Sequence, residues 1–102
     1  MSNEQVINSY AAPNFLSAAG FRYFLPAFML FSLNNPDSGE AVVSATIWAL
    51  DPTLYADRIA AYARSKYVLL DEPQRAAIVA FLQAMTDSSY GDDARRALRE
   101  WT

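Results

Sequence analysis

The sequence predicts an all-α protein: a compact orthogonal-type bundle of roughly five or six short helices around a central hydrophobic helix. Apolar residues recur at helical spacing along most of the chain, and the intervals between them carry Pro, Gly, Asn and Asp, which end helices. The segment 21–33 is apolar nearly all round, as expected of a helix buried on every side. The chain has 102 residues, so we expect one domain over residues 1–102.

A short helix is predicted near the beginning of the chain. Ser2 and Gln5 have the spacing of a capping box, in which two side chains satisfy backbone N–H groups at a helix start. This helix should run to about Tyr10, and Pro13-Asn14 should interrupt it.

The central helix is predicted over residues 18–34. Pro26 lies inside this stretch, and proline removes a helical hydrogen bond, so we expect two short pieces that meet at an angle at Pro26. Met29, Leu30 and Leu33 fill much of one face. The opposite face carries larger apolar residues, of which we expect Phe28 to be completely buried. They are Phe21, Phe24, Leu25, Phe28 and Phe31.

A turn rich in Asn, Pro and Gly follows, and Asp37 and Glu40 then have the spacing of a helix start. The next stretch, residues 41–50, contains several β-branched residues, which makes a strand the competing prediction. Its apolar residues also fall at helical spacing after an acidic start, so a helix is favoured. Asp51-Pro52 should end this helix, because a residue before proline avoids the helical conformation.

A further helix is predicted over residues 54–66, with Tyr55, Ile59 and Tyr62 together on one face. Residues 67–70 should then form a short extended connector to the next helix.

The clearest helix start in the chain lies at Asp71. This residue is predicted to be the N-cap, with Pro73 in the first turn and Gln74 at the capping-box position. The apolar stripe of this helix has the spacing i, i+3, i+4, i+7, which is typical of a helix packed on a core. It consists of Ile78, Phe81, Leu82 and Met85.

The last helix should begin at Asp92 and Asp93 after a polar loop. Residues 87–93 have a weak likeness to a calcium loop, but the glycine is one place early and the terminal glutamate is missing, so a solvated turn is favoured. The helix repeats the apolar stripe of its predecessor, with Ala94, Ala97, Leu98 and Trp101.

The composition excludes several classes of chemistry. The chain has no cysteine and no histidine, so thiol nucleophiles, thiolate metal sites and serine–histidine triads cannot form within it. Its three glycines are isolated, and no phosphate-binding loop is present. We therefore expect no metal, no cofactor and no catalytic residue.

The charge of the chain also constrains its partners. A net charge of −3 disfavours nucleic acid, whose binding depends on basic contacts to phosphate. We expect no membrane span, since the longest uncharged apolar run is short and contains a proline, and no secretory signal is visible. A cytoplasmic location is the resulting expectation.

The candidate site residues are Arg22 and Tyr23. Residues 1–36 hold only Glu4 and Arg22 among 8 basic and 11 acidic residues. Arg22 is then either an anion-binding residue beside Tyr23 or a structural arginine, and the structural interpretation is favoured. It requires a partner, which is either a carboxylate, such as that of Glu40, Asp51 or Asp71, or the carbonyls at a helix end. The charge-poor third either belongs to the core or meets a second subunit or a partner.

Two stretches resemble an uncharacterised family of small bacterial α-helical proteins, a domain of unknown function. Residues 21–29 have its aromatic–Arg–aromatic–aromatic–Leu–Pro–Ala motif, F-R-[YF]-[YF]-L-P-A. Residues 66–82 are similar to its second block, a basic–aromatic pair followed by a helix, although Pro73 replaces a usual acid. The likeness covers roughly residues 15–101 and implies an architecture without a known chemistry.

The function that we expect is a small non-enzymatic interaction or regulatory module, either binding a protein partner or associating with itself. Two alternatives remain open. One is an immunity-type inhibitor that blocks a bacterial toxin with its acidic surface. The other is a small-ligand binder or enzyme that uses Arg22 and nearby tyrosines, which a deep pocket containing an unpaired Arg22 would favour.

Overall fold

Helices account for most of the structure, a computed structural model that describes residues 18–39 and 41–102. No strand occurs in these two ranges, and the all-α prediction is confirmed. The short helix predicted from Ser2 to Tyr10 and its interruption at Pro13-Asn14 lie outside the described residues. The described elements are α1 (Ala18–Asn34), α2 (Ala41–Ala49), a 3₁₀ turn (Pro52–Leu54), α3 (Asp57–Tyr67), α4 (Glu72–Met85) and α5 (Gly91–Trp101).

The most deeply buried helix is α2, not the segment 21–33 that the sequence placed at the centre. Every residue from Val42 to Ile47 is buried, and so is Ala49, so only Ala41 and Trp48 of this helix are exposed. Its hydroxyls are satisfied within the helix, since Thr46 Oγ1 donates to the carbonyl of Val42 at 2.7 Å. This internal bonding lets polar residues lie in a helix surrounded by protein, and the competing strand prediction is wrong.

One continuous helix forms α1, with Pro26 inside it, so the predicted break into two angled pieces is wrong. Because proline has no backbone N–H, the helical hydrogen bond from residue 26 to the Arg22 carbonyl is missing. Both residues are exposed, so that carbonyl lies on a side where solvent is near. The apolar face is as predicted where its side chains are described, because Leu25, Phe28 and Phe31 are all buried.

The α3 helix begins later than predicted and buries a different face. Asp51 caps the 3₁₀ turn through its bond from the Thr53 N–H, and α3 starts only at Asp57. Ile59 and Tyr62 are more than half exposed. The face towards the core is instead Ala60, Ala63, Lys66 and Tyr67.

The face of α3 towards the core includes the small residues Ala60 and Ala63, which allow a close approach to its neighbours, whereas the larger Tyr62 lies on the exposed side. Tyr67 is the last residue of this helix rather than part of an extended connector. Its hydroxyl donates to the Ala49 carbonyl at 2.7 Å and satisfies the end of α2. Burial raises the pKa of Tyr67, so the phenol stays protonated as a donor.

The capping box at the start of α4 forms as predicted. The Asp71 carboxylate accepts from the Gln74 N–H at 2.8 Å, and the Gln74 side chain accepts from the Asp71 N–H at 2.9 Å. The predicted stripe is buried throughout: Ile78, Phe81, Leu82 and Met85.

The α5 helix also follows its prediction, with Ala94 and Ala97 buried and Leu98 and Trp101 packed against the core. Gly91 opens it at a close approach of the chain to itself. A Cβ at this position would overlap the carbonyl oxygen of Thr86, so only glycine fits without a backbone shift. The Cα atoms have a radius of gyration of 12.3 Å, which is typical of a compact chain of this length.

Asp37 links the turn after α1 to the turn before α5. Its carboxylate accepts from the backbone N–H and the hydroxyl of Ser89, both at 2.7 Å, rather than capping α2 as the sequence predicted. The Ser89 hydroxyl and then its N–H hold the pKa of Asp37 below its ordinary value of 3.8.

The lowered pKa of Asp37 gives a testable pH dependence. A carboxyl with a depressed folded-state pKa contributes stability above its ordinary pKa, and this contribution is lost as the pH falls below that value. The stability difference between wild type and Asp37→Asn should therefore be larger at about pH 7 than at about pH 3, as measured by urea unfolding. An equal difference at both values would contradict the assigned link.

Candidate functional site

A groove lies between α1 and α4 on the described surface. Its widest part has a volume of about 350 Å³. The walls come from two helices and are entirely uncharged: Pro26, Met29, Leu30 and Leu33 from α1, and Ala77, Ala80, Phe81 and Ala84 from α4.

The shape of the groove follows from the unequal size of the facing residues. Leu30 is 61% and Leu33 42% exposed, so the leucines stand out from α1 as a ridge. The facing side of α4 carries the exposed alanines Ala77, Ala80 and Ala84 at spacing i, i+3, i+7. Since alanine fills little space, α4 leaves a trough beside the leucine ridge. We call the groove, together with the exposed side chains of α1 and α4 that line it, the α1–α4 face.

The groove continues towards the beginning of both helices. A narrower depression of about 110 Å³ joins Arg22 and Leu25 to Leu70 and Gln74. Arg22 and Gln74 therefore lie at one end, and Leu33 and Ala84 lie at the other. The two helices run side by side in the same direction.

Both predicted site residues lie at the first end of the groove. Arg22 and Tyr23 are exposed, Tyr23 at 77%, and line an open depression with Leu69 and Gln74. This depression has a volume of about 400 Å³ and is open to solvent, whereas a typical small-ligand site encloses most of its ligand.

Among the described residues, Arg22 forms no ion pair with Asp51 or Asp71, so the predicted pairing with either acid is wrong. Asp51 is bound by Arg96 instead. The third candidate, Glu40, lies outside the described residues. Arg22 is thus the only charged side chain among the described residues that line the groove and its two extensions.

A separate cluster of charged residues surrounds Asp51 and has a structural role. In the sequence, Asp51 is far from the other members. This carboxylate is completely buried and accepts from Arg96 Nε at 2.8 Å and from the Thr53 N–H at 3.1 Å. Arg96 also donates to Asp93 at 2.9 Å. The bond to Asp51 raises the pKa of Arg96, so this guanidinium stays charged.

Two further long-range contacts hold the end of α5 in place. Trp101 Nε1 donates to the Leu50 carbonyl at 2.9 Å, and its ring lies 4.6 Å from that of Tyr67. Arg75 donates to the carbonyls of Tyr67 and Leu70 and lies against the Trp101 ring. These contacts satisfy helix ends and account for the aromatic and basic residues as structure rather than chemistry.

Lys66 is the other buried charge that sequence periodicity did not identify. It is 5% exposed, and its ammonium lies 5.0 Å from the centre of the Tyr62 ring. Burial lowers the pKa of Lys66. Its position explains why a basic residue precedes Tyr67 at the end of α3: the aliphatic stem packs inward while the head meets an aromatic face.

Within residues 18–39 and 41–102, no three acidic side chains cluster closely enough to hold a metal ion. In the same ranges, no helix combines the length and apolar character needed to cross a bilayer. The arrangement that these residues form is an apolar groove with the guanidinium of Arg22 at one end.

Comparison with known proteins identifies the family of the chain. No curated protein and no solved structure matches the chain. A family of unknown function, DUF6714, matches residues 1–101, nearly the whole sequence and more than the stretch that the motifs covered. The chain therefore belongs to the family of unknown function DUF6714.

Proposed function

We propose that this protein is a non-enzymatic interaction module that binds a protein partner through the α1–α4 face. The observation that carries the proposal is the exposure of Leu30 and Leu33 beside an uncharged alanine trough. Contiguous apolar surface of this kind is costly to leave in water and marks interaction sites.

The groove fits a helical ligand. A trough between two helices that run in the same direction accepts a third helix, whose apolar residues at i, i+3 and i+7 would contact the alanines. Arg22 at one end would then meet a carboxylate or a helix C-terminus of the ligand, which fixes the direction of binding.

An acidic-surface inhibitor has less support, because several of the acids are already paired with arginines within the chain. Asp51 and Asp93 bind Arg96, Glu100 binds Arg64 and Asp92 binds Arg95. Carboxylates that are neutralised internally offer little field to a basic partner.

Affinity capture from the native host tests the proposal. Immobilised wild type, Leu30→Glu and the control Ile59→Glu should be compared. Ile59 is 54% exposed on α3 and does not line the groove, so the control introduces the same charge at a similarly exposed apolar position.

We expect a protein that wild type and Ile59→Glu retain and that Leu30→Glu loses. That protein should then be purified and its binding measured by calorimetry, with a loss of at least about tenfold in affinity for Leu30→Glu. Equal binding by all three forms would contradict the proposal.

A further inference from the structure

We infer that the α1–α4 face binds a second copy of this chain, so that α1 of one protomer packs against α4 of the other around a twofold axis that runs along the groove. This inference rests on the proposed function, since it names the partner of the same surface. Its evidence is the shape, the charge and the extent of that face.

The first argument is shape. A twofold axis along the groove places the exposed leucines of α1 opposite the alanines of the partner's α4, and the reverse contact forms at the same time. Leu30 and Leu33 are large where Ala80 and Ala84 are small. Because one surface carries both the ridge and the trough, it is complementary to itself.

The second argument is charge. Each chain carries a net charge of −3, so most orientations of two copies bring like charges together. From Tyr23 to Asn34 on α1 and from Ala76 to Met85 on α4 the sequence has no charged residue. Two acidic copies can therefore bring these uncharged stretches of α1 and α4 together without repulsion between like charges.

The same geometry provides one attractive pair at the end of the groove. Arg22 lies beside the first turn of α4, and the parallel arrangement places it over the first turn of the partner's α4. That turn carries the exposed acids Asp71 and Glu72. An arginine facing two carboxylates across the axis favours this direction over the antiparallel one.

The third argument is extent. A stable interface needs about 800 Å² from each partner. The protein exposes 5748 Å² in total, so such an interface would cover about one seventh of its surface. The face extends along two helices of 17 and 14 residues, so an interface on it runs for about 20 Å at a rise of 1.5 Å per residue.

Sedimentation velocity of the complete chain tests the inference at about 100 µM, where an interface of standard size is populated. We expect wild type and Ile59→Glu to sediment as dimers and Leu30→Glu as a folded monomer, its helicity checked by circular dichroism. Leu30 is exposed, so the variant should fold.

The charge pair has its own test. Arg22→Glu should weaken the dimer at least about tenfold, Glu72→Arg should weaken it similarly, and the double variant Arg22→Glu/Glu72→Arg should recover most of the loss. Arg58→Glu changes the same charge at an exposed position of α3 and should have no such effect. Failure of the double variant to recover would overturn the parallel arrangement.

A monomeric wild type, or a dimer that Leu30→Glu retains, would overturn the inference. In the first case the face has another occupant, such as a different protein, and the affinity capture described above decides whether the proposed function stands. Failure of the dimer inference can therefore be distinguished from failure of the proposed function.

Discussion

Phe28→Ala is expected to lower the free energy of unfolding by about 3–5 kcal/mol, the cost of truncating a large aromatic residue in a core. Phe28 is 1% exposed and belongs to the cluster that joins α1 to α2 and α4. The alanine would leave a cavity that rigid helix packing closes only in part. This loss is a large share of the stability of a typical domain.

Urea unfolding of the purified variant measures the effect. Leu30→Ala is the matched control on the same helix, because Leu30 is 61% exposed and should cost less than about 1 kcal/mol in the monomer. If Phe28→Ala also costs less than about 1 kcal/mol, the assigned position of α1 in the core is wrong.

Asp51→Asn should have the second largest effect, a loss of about 2–4 kcal/mol. One carboxylate oxygen accepts from Arg96 Nε at 2.8 Å and the other from the Thr53 N–H at 3.1 Å. An amide has only one oxygen, so its NH₂ group would face one of these donors, and that donor would lose its acceptor at a buried position. Arg96 itself is 39% exposed along its side chain, so water relieves part of the penalty, and the estimate lies below that of a completely buried pair.

The control is Asp92→Asn, which makes the same chemical change in the exposed pair with Arg95. Surface pairs of this kind contribute little, and a loss below about 0.5 kcal/mol is expected. A double-mutant cycle with Arg96→Gln should show strong coupling to Asp51→Asn, and additive effects would argue against a direct interaction.

The sequence alone determined the class of fold and most helix positions, for a local reason. Capping at Asp71 and Gln74 involves residues three apart, and the stripe of Ile78, Phe81, Leu82 and Met85 is a property of one helix. Such signals need no knowledge of neighbouring elements. The absence of cysteine and histidine likewise excluded whole classes of chemistry without any structure.

Periodicity was misleading where small residues pack and large ones remain exposed. In the predicted helix 54–66 it favoured a face of Tyr55, Ile59 and Tyr62, whereas α3 begins only at Asp57 and buries Ala60 and Ala63. Close approach of helices, which requires small side chains, outweighed the size of the apolar residue. The centre of the bundle was misplaced for a related reason: α1 and α2 are both apolar, and only their neighbours decide which of them is enclosed.

The tertiary structure alone decided the partners of the charges and the place of the groove. Asp51 and Arg96 are 45 residues apart, and no local pattern joins them. The groove exists because the leucines of α1 stand beside the alanines of α4, two rows that are separated by more than 40 positions in the sequence. A helical repeat fixes which residues share a face, but only the packing of other helices fixes which faces stay uncovered.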